Sequence, residues 1–232
     1  MTLENTKRHI ILNAGHYDDP DTPHFDDPGA TTNQVREAVE VIKIRDRVSR
    51  LLRLARFSVS EVPDTLDLRE SIDWANQKAP SLNDGLAIDI HLNYLSDQRA
   101  RGTETFYGTS ETSEEIASLL AKGTAEAMNI PNRGAKPDTQ TAVGSLGWIR
   151  KTTMWATLVE ICFLTNPEDM EVLHGEDGYE KAARGVVNGV CDIFGVPRLS
   201  EATDTAEEKA DPIIITIDRY GESARYKCYP IK

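Results

Sequence analysis

Two histidines and two glutamates in this chain occupy places where a purely structural side chain has little reason to be charged. His91 closes the apolar run GLAIDIHLNYL and is followed at once by Asn93. His16 ends the segment HIILNAGH, Glu37 lies at the start of a helical run, and Glu160 interrupts the otherwise apolar LVEICF. A buried strand has little use for an imidazole, so His91 is expected to bind something. Two imidazoles and a carboxylate can hold a catalytic zinc ion and leave a position for water. A second glutamate outside that set can then handle a proton. Taken singly, each histidine reads as an ordinary hydrogen-bonding residue; only the grouping turns the soluble chain into a candidate metallohydrolase.

These residues need a frame that brings them together. His9 to Ala14 reads as a short buried strand, followed by a loop to about Thr32 rich in Asp, Pro and Gly. From Asn33 to Arg56 the spacing is helical, with Val41, Ile44, Val48, Leu51 and Ala55 on one buried face. Phe57–Val62 reads as a second strand, Asp67–Gln77 as a second helix, Leu86–Leu92 as a third strand and Glu104–Tyr107 as a fourth. Ser113–Met128 is expected to be a helix with Ser113 at its N-cap, Trp155–Phe163 a buried strand, and Gly178–Phe194 the last long helix. Strands alternating with helices predict an α/β fold, a mostly parallel twisted sheet with helices on both faces. His16 and His91 then fall at the carboxyl ends of strands, where such folds place their ligands.

The helical run offers two carboxylates, Glu37 and Glu40. At about 100° per residue, Glu37 falls near the middle of the apolar stripe and Glu40 towards its edge. A carboxylate central on a core-facing stripe wants a cation, which favours Glu37. The plain alternative is a first-turn carboxylate facing the helix dipole. His24, in DPDTPHFDDPG, is a rival first-loop ligand in what looks like surface loop. His9 and His174 show no partner. Asp18, Asp19, Asp21, Asp26 and Asp27 do not follow the spacing of an EF-hand loop and read as a solvated loop near a site mouth. An ionised Glu160 inside an apolar strand is costly unless paired or beside a metal. It reads either as a general base and acid or as a buried partner of a cation such as Arg150.

Composition narrows the setting. At 232 residues the chain has room for one large domain or one domain with an appendage. A net charge of −12 argues against nucleic acid as the main partner and against electrostatic adhesion to anionic surfaces. The three cysteines, Cys162, Cys191 and Cys228, are odd in number and widely spaced, against a disulfide framework; Cys162 and Cys191 read as core thiols. The beginning MTLENTKRHIIL has no long apolar run before the first strand, so no signal peptide is visible. No segment approaches the length of a membrane-spanning helix, so no membrane insertion is expected. After Leu199, SEATDTAEEKAD is polar and acidic and reads as a linker. Residues 213–232 read as a β-hairpin-like tail with a turn at Gly221, either packed on the main domain or part of a wall-binding appendage.

Read in order, NAGH, DPGA, VREAVEVIKI, DIHLN and LVEICFLTNPEDM resemble the zinc-dependent N-acetylmuramoyl-L-alanine amidases of the type 3 family. The resemblance runs from about Ile10 to Phe194. RESIDWAN and GTETFYG agree with family segments as well, and NRGAKP resembles the phage-lysin branch. The resemblance implies His16, Glu37 and His91 as zinc ligands and Glu160 as the catalytic glutamate. It implies a peptidoglycan substrate, cut at the amide between the lactyl group of N-acetylmuramic acid and L-alanine. With the composition change after Leu199, the expected organisation is a catalytic domain over residues 1–199, a linker over 200–212 and the tail over 213–232. Two positions depart from the family pattern: Asn13 stands where Asp is common, and Asp89 where Ser is usual. Competing readings are a zinc carboxypeptidase on a related α/β scaffold and an inactive wall-binding module. The expected setting is synthesis in the cytoplasm and action on the cell wall, as a phage endolysin released with helper proteins or as a bacterial autolysin.

Overall fold

In the computed structural model the described residues are 3, 6–16, 27–32, 35–200, 213–219 and 222–228, with the backbone alone described in the last two ranges. His24 and Asp18, Asp19, Asp21 and Asp26 lie outside the described residues, as does the expected turn at Gly221.

The first strand is built where the sequence is most apolar. β1 (His9–Ala14) enters the sheet with Ile10, Ile11 and Leu12 fully buried. Two very short strands, β2 (Thr31–Thr32) and β3 (Val35–Arg36), pair antiparallel just before α1 (Glu37–Leu54). The helix therefore starts later than the apolar rhythm alone suggested, with Glu37 at its first position. β4 (Ser58–Glu61) follows, then α2 (Leu68–Lys78), whose cap Asp67 exchanges side-chain and backbone bonds with Glu70. β5 (Leu86–Asn93), β6 (Thr103–Tyr107) and α3 (Glu111–Met128) come next. Ser110 caps α3, accepting from the Ser113 backbone at 3.1 Å, so Ser113 is the third helical residue rather than the cap.

Three further elements were not anticipated. β7 (Asn132–Pro137) is a polar edge strand that shows no alternation to read. α4 (Gly147–Lys151) is only five residues long. α5 (Pro167–His174) starts with Asn166 as cap and Pro167 at the first turn. β8 (Trp155–Phe163) and α6 (Gly178–Ile193) lie where the sequence placed them.

The six-stranded sheet has the order β4-β1-β5-β8-β6-β7. Strands β4, β1, β5 and β8 are mutually parallel, and β6 pairs antiparallel with β8 and parallel with β7. On one face Ile11, Ala87, Phe106 and Leu158 pack against Ile72 and Ala75 of α2 and Trp148 and Ile149 of α4. The alternate residues Ile10, Leu12, Ile88, Ile90 and Val159, also fully buried, point the other way, towards the α1, α3 and α6 side. There α3 and α6 approach backbone to backbone: a Cβ on Gly123 would lie 2.5 Å from the Gly185 carbonyl oxygen.

The period of two that builds the core also sorts the chemistry. Continuing along the face that carries Ile11, Ala87 and Leu158, the next outward positions are Asn13, Asp89, His91 and Glu160. Register aligns them: Asn13 opposite Asp89, and His91 opposite Glu160. The apolar half of the face anchors the helices, and its carboxyl-end half is polar.

The chain divides into two compact units, Met1–Arg198 and Leu199–Lys232. The second contains an antiparallel hairpin of β9 (Ile213–Arg219) and β10 (Glu222–Cys228). Cys162 and Cys191 are buried free thiols, as expected.

Candidate active site

Among the described residues, His16, Glu37 and His91 form a group whose potential ligand atoms all lie within 4.8 Å of one another. Three different elements supply them. His16 follows β1 across Gly15 and has φ of 66°, a left-handed conformation that non-glycine residues seldom adopt. Such conformations persist where the surroundings over-determine them, and they gather at functional sites. His91 is the sixth residue of β5, and Glu37 the first of α1. Just beyond His91 the pairing of β5 with β8 shifts register, an irregularity that sheets often use to re-aim side chains.

Glu37 is the hub. Its Oε1 lies 3.0 Å from His91 Nδ1 and accepts from the Leu92 backbone N–H at 3.0 Å. Its Oε2 lies 3.2 Å from His16 Nε2 and accepts from the Ala30 N–H at 2.9 Å. The two imidazole rings meet edge to face with centroids 4.9 Å apart. Two glycines make the assembly fit. A Cβ on Gly15 would lie 2.3 Å from the His91 ring, and one on Gly29, at φ of 64°, would lie 2.5 Å from the His16 ring and 2.7 Å from Glu37 Oε2.

The electrostatics ask for a cation. Burial opposes a charge on Glu37, yet the hydrogen bonds from His16 and His91 outweigh it and hold its carboxyl well below the usual carboxylate range. Burial likewise opposes a charged His91, but Asp89 and Glu37 overcome it and raise the imidazole well above its ordinary value. His16 is raised as well: burial lowers it, and the Glu37 hydrogen bond more than compensates. Without an ion, protons held on the two imidazoles compensate the buried carboxylates; a divalent cation that displaced those protons would meet one carboxylate and two imidazole lone pairs, the donor set of a zinc site.

Glu160 is brought beside this group but takes no part in it. From β8 it sits opposite His91 of β5 and opposite Glu104 of β6. Its Oε2 is enclosed without a hydrogen-bond partner. Burial pushes its carboxyl up to about 8; His91 opposes that shift, while Glu37, Glu104 and Asp89 add to it. The alternative pairing with Arg150 is not what the fold provides, because Arg150 Nε instead donates to the buried Asp138 at 2.7 Å. Glu104 is likewise engaged elsewhere, accepting from Asn93 at 2.7 Å and from Arg133 at 2.6 Å. A carboxyl with one enclosed, unpartnered oxygen next to a cation-binding group is suited to exchanging a proton near neutral pH.

Other candidates are ordinary. Glu40 is buried but faces away from the cluster, accepting from Tyr179 and Lys43 and lying 2.9 Å from His174 Nε2. His174 thus has a partner the sequence did not reveal, and so has His9, whose Nε2 is 2.9 Å from Ser60 Oγ. Asp27 does reach the site: its Oδ2 lies 3.0 Å from His16 Nδ1. The sequence also gave no sign of the site's wall. A cavity of about 220 Å³ is lined by His16, His91, Asn13 and Asp89 on the polar side and by Leu66, Leu68, Leu146 and Trp148 on the apolar side. The available signal was the apolar SLGW segment ahead of IRK, whose Trp148 is buried under α2. A second cavity of about 570 Å³ shares Asp27, Asp67, Leu68 and Gly147 with the first and continues along α2 to Asn76 and Lys151.

Residues 10–192 match the family described as N-acetylmuramoyl-L-alanine amidase. The chain belongs to that family. Among solved structures, this amidase-family chain is similar to the catalytic domain of CwlV, an N-acetylmuramoyl-L-alanine amidase from Bacillus (Paenibacillus) polymyxa var. colistinus. The TM-score is 0.68 and the identity 25%, over 82% of this chain and 99% of that one. Among curated sequences, it is 26% identical over 201 residues to the endolysin of Bacillus phage SPP1, covering 86% of this chain and 70% of the relative. It is also 26% identical over 188 residues to the amidase LytC of Bacillus subtilis strain 168, covering 80% of this chain and 35% of the relative. The chain thus spans between 35% and 70% of the length of these curated relatives. The mostly parallel α/β architecture is that of the amidase catalytic domain. No helix among the described residues is long and apolar enough to cross a membrane.

Proposed function

We propose that this chain is a zinc-dependent peptidoglycan hydrolase that cleaves the amide between the lactyl group of N-acetylmuramic acid and L-alanine. The carrying observation is the convergence of His16, Glu37 and His91 on one point, with the unpartnered carboxyl of Glu160 on the neighbouring strand. Family membership names the bond.

In this reading His16, Glu37 and His91 hold the ion. Zinc, when bound, supplies Lewis-acid polarisation of the scissile carbonyl and a water that is acidic near neutral pH. Glu160 accepts a proton from the attacking water as the new C–O bond forms at the lactyl carbonyl carbon. It returns that proton to the L-alanine nitrogen as the C–N bond breaks. The products are a lactyl carboxylate on the glycan and a free L-alanyl peptide. Leu66, Leu68 and Trp148 supply an apolar wall that limits competing water. The lone Oε2 of Glu160 supports this role, since a carboxyl already locked in an ion pair has no capacity to shuttle.

The catalytic domain in this reading is residues 1–199, with 200–212 as a linker and 213–232 as a tail that contributes wall contacts or packs on the domain. The place of action is the cell wall, reached by phage-type release or as an autolysin; similarity to a phage endolysin and to LytC supports that setting.

Mass spectrometry of purified cell walls after digestion tests the bond. New lactyl carboxylates together with free L-alanine N-termini are expected. New peptide carboxyl termini without them would make the chain a carboxypeptidase instead. A digest with neither product would leave a wall-binding module.

A further inference from the structure

We propose that Asp89 is a positioning residue for the metal centre: its carboxylate accepts from Nε2–H of His91 and so keeps Nδ1 of that ring turned towards Glu37 and the ion. The inference rests on the reading of His16, Glu37 and His91 as the metal ligands.

Both ring nitrogens of His91 face a carboxylate. Nδ1 lies 3.0 Å from Glu37 Oε1, and Nε2 lies 3.2 Å from Asp89 Oδ2. The nitrogen beside Glu37 is the one that shares space with His16 Nε2, itself 3.2 Å from the other oxygen of Glu37. The other nitrogen is flanked by Asp89, which lines the cavity wall. A neutral imidazole has one N–H, and the hydrogen bond made by one nitrogen decides which nitrogen is left with a lone pair. Asp89 in its ionised form only accepts, so it selects the tautomer with the proton on Nε2.

Asp89 is itself fixed. Its other oxygen, Oδ1, accepts from Asn13 Nδ2 at 2.8 Å, and Asn13 stands directly opposite it in the β1–β5 register. An amide in place of a second carboxylate at position 13 can donate, which a carboxylate at pH 7 cannot. The ring has little freedom to turn over, because its Cε1, Nε2 and Cδ2 lie against Gly15. His16 has an analogous arrangement on its far side, with Asp27 Oδ2 3.0 Å from Nδ1. The two differ in medium: the Asp27 side chain is 62% exposed and that of Asp89 only 3%. In the less polar surroundings the Asp89–His91 interaction is the less screened of the two. An outer carboxylate of this kind orients the imidazole and makes it a better donor, and its removal typically costs about 10–100-fold in metal affinity.

The test is the zinc dissociation constant, measured by competition with a chromophoric chelator. The chains compared are wild type, Asp89→Asn, Asp89→Ser and, as a control on α3, Glu114→Gln. The expectation is about 10–100-fold weaker zinc binding in both Asp89 variants and no change in the control. Unchanged zinc affinity in folded Asp89 variants would overturn the proposal, even if they melt earlier, because a purely structural Asp89 moves the melting point alone. Nitrogen-15 NMR of the zinc-loaded wild type needs no variant: it should show His91 metallated at Nδ1 and protonated at Nε2. The reverse assignment overturns the proposal. A wild-type chain that takes up no zinc fails the underlying ligand assignment, which distinguishes that failure from loss of Asp89's role alone.

Discussion

His91 and Glu160 stand directly opposite one another on the adjacent parallel strands β5 and β8. Neighbouring strands lie about 4.8 Å apart, so the imidazole assigned to the ion and the carboxyl assigned to the proton belong to one layer of one sheet face. Their separation in sequence is large, yet their juxtaposition depends on nothing more than strand order and register. Glu37 then reaches that layer from the first turn of α1 and closes the ligand group.

Glu160→Gln preserves the shape of the side chain and removes its capacity to take a proton. Turnover of purified peptidoglycan should fall by about 10²–10⁴-fold, with zinc content unchanged by elemental analysis. Wild-type turnover in a zinc-loaded Glu160→Gln chain would remove this residue from the mechanism.

The metal-free protein should also show a stability signature of Glu160. Burial first, then the surrounding carboxylates, raise its carboxyl from 4.5 to about 8 in the folded chain, against the opposing effect of His91. A raised folded-state pKa means stability that is fully present below the unfolded value and lost as pH rises through the folded one. Between about pH 4.5 and 8 the unfolded chain releases this proton while the folded chain retains it. Glu160→Gln, which has no such proton to lose, should therefore gain on the wild type across that window. Melting temperatures of the two metal-free chains, taken from pH 5 to 8.5, check this. A difference that stays flat or narrows with pH contradicts the assigned shift.

Glu37 and Glu40 are both buried on α1 but should fail differently. Glu37→Gln removes the charge between two imidazoles and should lower zinc occupancy sharply, to the point of little retained metal after dialysis. Glu40→Gln loosens the contacts with His174, Tyr179 and Lys43 and should cost about 1–3 kcal/mol of stability while retaining zinc. Denaturant unfolding paired with metal analysis separates the two. Loss of zinc in Glu40→Gln, with Glu37→Gln fully loaded, would reverse the ligand choice.

Gly15→Ala tests the geometry around His91 without removing a polar group. The added Cβ would sit 2.3 Å from the imidazole, so the ring must move. Weakened zinc binding in a chain with a native circular dichroism spectrum is the expected outcome. Undiminished affinity would show that the ring position is not needed for ligation.

The frame of this site was legible because its strands are apolar and its long helices periodic. HIILNA and WATLVEICF each form the expected strand over the expected residues. The helical phase favoured Glu37 over Glu40, and Glu37 is the one that meets the histidines. What escaped notice was held by other physics. NRGAKP is a polar edge strand, paired on one side only, and carries no hydrophobic alternation. The helix Pro167–His174 was announced by an Asn cap before a Pro, a signal hidden inside a motif read for other reasons. The partners of His9 and His174 come from Ser60 and Glu40, contacts between distant segments that no local pattern contains. Asp89 was visible as a charged residue before His91, but its bond to Asn13 depends on the β1–β5 register, which becomes visible only in the fold.

The account stands most directly on whether the metal drives the hydrolysis. The measurement is turnover of purified peptidoglycan by the full chain as isolated, after removal of metal with a chelator, and after addition of one equivalent of zinc to the stripped protein. Activity that disappears with the metal and returns with zinc, releasing free L-alanine N-termini, is the predicted result. Hydrolysis that continues undiminished in the stripped chain would contradict the account.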